Sequence, residues 1–268
     1  MEQTMTERSA GNREQKDKKG ESPEYGNWVS TKFIYGPGIA GLMFIAVSIL
    51  FRPLIFIAAI FFLLALYFAY ARRLFSEKGS GVQNRIWDLV VDHLEWDGKG
   101  KLLDIGCGNG ALTIKLAKKY PRADLHAIDY WGKNWNYSKA VCEKNAILEG
   151  VNSRIMFMLA SASTLPFEEG AFDAVVSNLT FHEVRDAKDK RKVVREALRV
   201  LRKDGVFVFQ DLFLIKQYYG TPAELINTIK SWGIREVKFV DTHNETFIPA
   251  VLKLPFMVGT IGMLIGKK

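Results

Sequence analysis

Hydrophobic and polar positions divide this chain of 268 residues into three zones. From residue 1 to 32 polar side chains dominate, acids and bases nearly balance, and Tyr25 and Trp28 stand out as large apolar groups. So little burial does not offset the entropy of ordering, which predicts a disordered polar tail over 1–32. From Phe33 to Ala71 the only charge is Arg52. The stretches Phe33 to Phe51 and Pro53 to Ala71 would each make about 28 Å of helix, close to the roughly 30 Å thickness of bilayer hydrocarbon. Pro53 suits a first helical turn and Arg52 a polar reversal, so the pattern predicts a two-helix transmembrane hairpin over 33–73. Lys32, Arg72 and Arg73 against a lone Arg52 place both ends in the cytoplasm by positive-inside counting. A re-entrant hairpin with Arg52 snorkelling, or a buried soluble helix pair, are the competing geometries.

Beyond "SEKGSG" the pattern changes to alternation. Helical spacing at Val82, Ile86, Leu89, Val90 and Leu94 opens it. Then come strand "KLLDI", helix "ALTIKLAKKY", strand "DLHAID", helix "NWNYSKAVCEKNAILEG", and strands "RIMFMLA" and "FDAVVSN". Helix "KRKVVREALRVLRKDG", strand "VFVFQDLF", helix "PAELINTIKSWG", and strands "EVKFVD" and "TIGMLIG" complete it. Such alternation predicts an α/β domain with a mostly parallel sheet, whose ligand lies beyond the carboxyl ends of the strands.

Charge alters little. The formal net charge of +8 is concentrated between Arg185 and Gly205, where it reads as the basic face of one helix. A solvated face, or contact with anionic headgroups beside a membrane anchor, accounts for it better than nucleic acid does. Cys107 and Cys142 form neither a disulfide framework nor a metal-ligand spacing, so no metal is expected.

The chemistry centres on "LLDIGCGNG". Gly106, Gly108 and Gly110 alternate directly after Asp104, letting backbone amides approach a ligand closely at a strand-to-helix turn. The spacing is GxGxG rather than the GxGxxG that cradles a pyrophosphate, and Asp104 would repel one; a carboxylate suits a ligand with a positive end. At the end of the second strand Asp129 is placed to accept hydrogen bonds from a ribose diol. Tyr130 and Trp131 offer faces for an adenine.

"LLDIGCGNG", "AIDYW", "LPFEEGAFDAVVSN", "FHEV" and "REALRVLRKDG" resemble, in order and spacing, the motifs of class I S-adenosylmethionine-dependent methyltransferases. The resemblance covers roughly residues 80 to 215. It implies a Rossmann-like seven-stranded sheet with the last strand antiparallel, in a methyltransferase domain spanning 80–268. It also implies that S-adenosyl-L-methionine is held by Asp104, Gly106, Gly108, Asp129, Tyr130 and Asn178. The family often carries an acid before "LPF"; here Ser161 stands there, leaving its hydroxyl and the backbone at Ser161 and Ala162 to read the adenine edge.

The sulfonium donor carries the hard chemistry, and the protein positions an acceptor in line with its methyl group. His182, just past the fourth strand with Glu183 beside it, is the candidate general base, with helix capping or packing as the alternative. The hairpin and the apolar "THNETFIPAVLKLPFMVG" point to a hydrophobic acceptor, a lipid or a quinone, at a membrane. A soluble small molecule, a protein side chain, or donor binding without turnover are the rival readings. Gly36, Gly38 and Gly41 permit close helix approach, which leaves the oligomeric state open.

Overall fold

The computed structural model describes residues 21–132 and 137–268. Helices α1 (Lys32–Ser48) and α2 (Leu54–Phe75) come first, then α3 (Val82–His93). The alternating part follows as β1 (Gly100–Ile105), α4 (Ala111–Lys119), β2 (Ala123–Asp129), α5 (Lys139–Leu148), β3 (Ile155–Leu159), β4 (Phe172–Asn178) and α6 (Lys190–Arg199). It ends with β5 (Leu201–Asp211), the single-turn α7 (Lys216–Tyr219), α8 (Pro222–Ser231), β6 (Glu236–Val240) and β7 (Gly262–Lys267).

The seven strands form one sheet in the order β3-β2-β1-β4-β5-β7-β6. β7 enters antiparallel between β5 and β6, and the other pairings are parallel, as the resemblance implied. The order reverses at β1, which has β2 on one side and β4 on the other, so the crevice above β1 is the switch point where ligands bind in such sheets. Side-chain alternation gives two cores. Leu102, Leu125, Ala127, Val176 and Val208 face one way against α3, α4 and α5. Leu103, Ile105, Ile128, Val175 and Phe207 face the other way against α6 and α8.

α1 and α2 pack antiparallel, with Phe33 stacked on Phe68 (5.3 Å) and Phe44 on Phe61 (5.4 Å). Gly41 permits the approach, since a Cβ there would stand 3.0 Å from the Phe62 ring. The turn is longer than expected and shortens the first arm to 17 residues, whereas α2 has 22 and is long and apolar enough to cross a membrane. The base of the hairpin is not loosely tethered. Ala71, Leu74 and Phe75 share a third core with Val82, Ile86, Ile248, Leu252, Val258 and Ile261. The turn at 76–81 folds back on itself, with the amides of Gly79 and Gly81 both donating to Ser76 O.

Three expectations need correction. Residues 21–31 are not a loose tail: Val29 is buried, and backbone hydrogen bonds to polar side chains replace the missing apolar burial. Residues 1–20 lie outside the described chain. Of the helix expected over 134–150, residues 134–136 lie outside the described chain, and α5 begins at Lys139, where Ser138 caps it by accepting from Val141 N. "LRKDG" is not helical but opens β5, with Asp204 at positive φ and a register shift against β4.

Candidate functional site

A cleft of about 980 Å³ lies over the switch point. Its floor is the β1–α4 turn. Gly106, Gly108 and Gly110 have φ of 78°, 57° and 84°, which side chains rarely tolerate. Gly106 is tightest, since a Cβ there would stand 1.9 Å from Thr180 Oγ1. The amides of Gly106 and Cys107 both donate to Ile128 O, pinning the turn to β2.

Asp129 ends β2 on the rim. One oxygen accepts from Gly108 N (2.8 Å) and the other from Trp131 N (2.7 Å). Burial raises its pKa, and those amides oppose the rise. Trp131 sits at φ 43° with its indole donating to Gly108 O (2.9 Å). Leu179, at φ 53°, follows β4 on the opposite wall. Two bulky residues in a region reserved for glycine, both lining one cleft, mark a site where strain is held by its surroundings.

Gly106, Gly108, Asp129, Tyr130, Ser161, Ala162, Asn178 and His182 all line the cleft. Asp104 and Gly110 do not; they lie beneath it. Asp104 is buried, with Oδ2 accepting from Thr113 Oγ1 (2.5 Å) and Oδ1 unpartnered. Burial, against the pull of that hydrogen bond, raises its pKa to about 7. Gly110 instead caps α4.

Ser161 holds a surprise. Its hydroxyl is paired with Ser163 Oγ and Asp186 Oδ2, each at 2.9 Å, and Ser163 Oγ donates to the same Asp186 oxygen (2.5 Å). A carboxylate from a loop 25 residues further on thus stands beside position 161. Asp186 also lines the cleft. The hydroxyls hold its pKa below the usual carboxylate range.

On the far wall, His182 Nδ1 pairs with Asp211 Oδ1 (2.7 Å), and Nε2 lies 3.5 Å from Glu183. Asp211 ends β5 and is wholly buried; it also accepts from Phe181 N (2.7 Å), Leu212 N (2.6 Å) and Tyr219 OH (3.4 Å). Burial pushes against a charge on His182, but Asp211 and Glu183 outweigh it and raise the pKa to about 10. His182 therefore carries a proton at neutral pH. The sign of the linkage follows, since the folded-state pKa lies above the unfolded one near 6.5. The stability His182 lends is full below about pH 6.5 and is lost as pH rises through about 10. We expect the gap in thermal midpoint between wild type and His182→Gln to narrow steadily from pH 6 to pH 10. A pH-independent gap would show that His182 contributes packing only.

Besides Asn109, Thr180, Glu183 and Arg185, most of the remaining lining is apolar or aromatic. Phe33 and Phe68 of the hairpin, Phe75, Leu212, Phe256 and Met257 continue the cleft from the glycine turn to the hairpin's base. The "THNETFIPAVLKLPFMVG" segment does two things here. Ile248 and Leu252 pack beneath the hairpin, while Val251 O accepts from Tyr67 OH (3.1 Å) and Phe256 stays 65% exposed at the mouth. Among the described residues, no three His, Cys, Asp or Glu side chains are grouped to hold a metal ion.

Residues 103–209 match the family model described as a methyltransferase domain. The chain is 30% identical over 132 residues to the malonyl-(acyl-carrier protein) O-methyltransferase of Geobacter sulfurreducens, covering 48% of this chain and 46% of that one. It is 30% identical over 143 residues to the 27-O-demethylrifamycin SV methyltransferase of Amycolatopsis mediterranei, covering 52% and 48%. The chain thus spans about half the length of these curated relatives. Among solved structures, geranyl diphosphate C-methyltransferase from Streptomyces coelicolor superposes with a TM-score of 0.51 at 14% identity, over 70% of this chain and 81% of that one. The (4+2)-cyclase SpnF gives 0.51 at 20% identity, over 69% and 79%. These structures share the fold.

Proposed function

We propose that this chain is a membrane-attached S-adenosylmethionine-dependent methyltransferase whose acceptor is a hydrophobic small molecule, lipid or quinone. One observation carries the reading. The cleft that begins on the glycine turn ends on Phe33 and Phe68 of the apolar hairpin, so donor site and membrane anchor share one cavity.

The residues present fit the donor. Its nucleoside would lie over Gly106 and Gly108, with the ribose at Asp129 and the base beside Tyr130, Ser161, Ala162 and Asp186. Asn178 lines the same space, is nearly buried, and its Oδ1 has no partner, an acceptor held in reserve for a ligand donor. Bound there, the sulfonium compound supplies an activated methyl group. Asp104 beneath the turn and Asp129 on its rim favour the cation. Protonated His182, held by Asp211, donates a hydrogen bond to the polar end of an acceptor and orients it. At neutral pH that role replaces proton abstraction, since the ring already holds its proton.

Asp186 offers a separable test. Asp186→Asn keeps the shape but removes the negative charge that favours an amino group at the adenine edge. We expect donor Kd to rise about tenfold with kcat nearly unchanged, as loss of one charge-assisted hydrogen bond implies. An unchanged Kd would place the base elsewhere.

The acceptor class is tested by incubating membranes containing the full chain with methyl-labelled donor and extracting into organic solvent. Label in the organic phase, absent from a Gly106→Ala control, is the expected result. Label confined to water-soluble products would overturn the hydrophobic acceptor. Because a cyclase shares this fold, turnover rather than donor binding has to be the readout.

A further inference from the structure

We infer that residues 24–29 are a strap forming the outer wall of the donor pocket, and that the base of the hairpin holds this strap in place. The inference rests on the donor reading above and assigns to that site a segment well outside the matched methyltransferase domain.

The strap is gripped at its first end by the glycine turn itself. Glu24 N donates to Asn145 Oδ1 (2.9 Å), and Glu24 O accepts from Asn145 Nδ2 (2.9 Å) and Asn109 Nδ2 (3.3 Å). Asn109 lies between Gly108 and Gly110, and Asn145 also donates to Asn109 O (2.9 Å). Both amides are almost fully buried. Asn145 Oδ1 and Asn109 Nδ2 are committed to a backbone without secondary structure of its own, and removing the strap would strip both of these bonds at a desolvation cost.

In the middle, Gly26 turns the chain at φ 75°, and buried Gln83 accepts from Trp28 N (3.0 Å). Tyr25 and Trp28 pack edge-on against Trp87, at 6.2 and 5.8 Å between ring centroids, and both line the cleft with Gly108 and Asn109. Aromatic rings beside the glycine turn suit a cationic sulfur twice over: they exclude water, and ring faces attract cations.

At its second end the strap is clipped to the hairpin. Asn27 Nδ2 donates to Arg72 O (3.0 Å), and the Arg72 guanidinium donates to Val29 O. Three residues after Val29 the chain enters α1. Both arms of the hairpin therefore bear on the strap, and anything that shifts the hairpin's base moves a wall of the pocket. Donor affinity is in this way tied to how the anchor is seated.

The test uses the full chain in lipid nanodiscs, titrated with S-adenosylhomocysteine in a calorimeter. One double variant, Tyr25→Ala/Trp28→Ala, removes the wall. Another, Asn27→Ala/Arg72→Ala, cuts the clip while leaving the rings and the glycine turn intact. Each should raise Kd about tenfold. In the wild type, the ligand should slow chymotrypsin cleavage at Tyr25 and Trp28 at least severalfold, a readout that needs no variant to fold. If the wild type binds but both variants stay within twofold and cleavage is unaffected, the strap is mere packing and the inference falls. If the wild type does not bind, the donor reading falls and takes the strap with it.

Discussion

Replacing Gly106 with alanine should abolish donor binding, raising Kd by at least about a hundredfold. The left-handed backbone alone costs an alanine about 1–2 kcal/mol. The contact adds more, because the new Cβ would meet Thr180 Oγ1 at 1.9 Å and Thr180 Cβ at 2.6 Å. Thr180 is β-branched and held through Oγ1 to Asn178 O (3.2 Å), so it has little room to rotate away. The turn must lift instead, carrying the Gly108 amide away from Asp129 and closing the cleft floor. Gly110→Ala is the internal control. Its φ is equally unusual, but the nearest atom to its Cβ is a Phe157 ring carbon at 3.6 Å, an ordinary contact. That variant should keep binding within about tenfold, the conformational cost alone. Calorimetric titration of both with S-adenosylhomocysteine decides the matter. Equal losses would mean that backbone conformation, not the clash with Thr180, governs the turn.

Asp211→Asn should be the most damaging single change to stability in the far wall. The carboxylate is fully buried and serves four donors: two amides, the His182 ring and the Tyr219 hydroxyl. An asparagine has one acceptor oxygen, and its NH2 would face donors. It also leaves His182 without its principal counter-charge, and breaking a buried charge pair in this way costs about 3–5 kcal/mol. For a domain of this size that is a fall of roughly 6–20 °C in thermal midpoint. The His182 titration, followed by NMR, should move down from about 10 as the opposing charge disappears. If stability falls while the titration stays, Glu183 and not Asp211 sets the charge state of the ring.

Much of this architecture was legible in the chain. The seven-stranded sheet and its antiparallel last strand came with the resemblance, and the GxGxG turn announced its own backbone conformation. What stayed hidden is of one physical kind: partnerships between residues far apart in sequence. Ser161 looked like a lost acid because nothing near it reveals that Asp186 folds back beside it. Asp211 looked like one more residue of the strand "VFVFQDLF", since its partners Phe181, His182 and Tyr219 lie on other elements. The segment 21–31 looked loose because composition measures apolar burial, whereas Asn109, Asn145 and Gln83 hold it by its backbone. Local pattern also misjudged "LRKDG", where pairing with β4 overrode helical spacing.

If the chain is the membrane-attached enzyme proposed above, the core shared by Phe75, Ile86 and Leu252 has a geometric outcome. A flexibly leashed enzyme would sample its substrate at any distance from the lipid surface, whereas a rigid joint fixes the altitude of the opening. Phe68, which lines the cleft, lies four residues before Arg72, so about 6 Å of helix rise separates this part of the lining from the first basic residue. On the membrane-attached reading proposed above, Arg73 would stand at the phosphate level and the joint would act as a depth gauge. Turnover is then expected of molecules whose reactive atom rides just below the headgroups and not of those buried at the bilayer midplane.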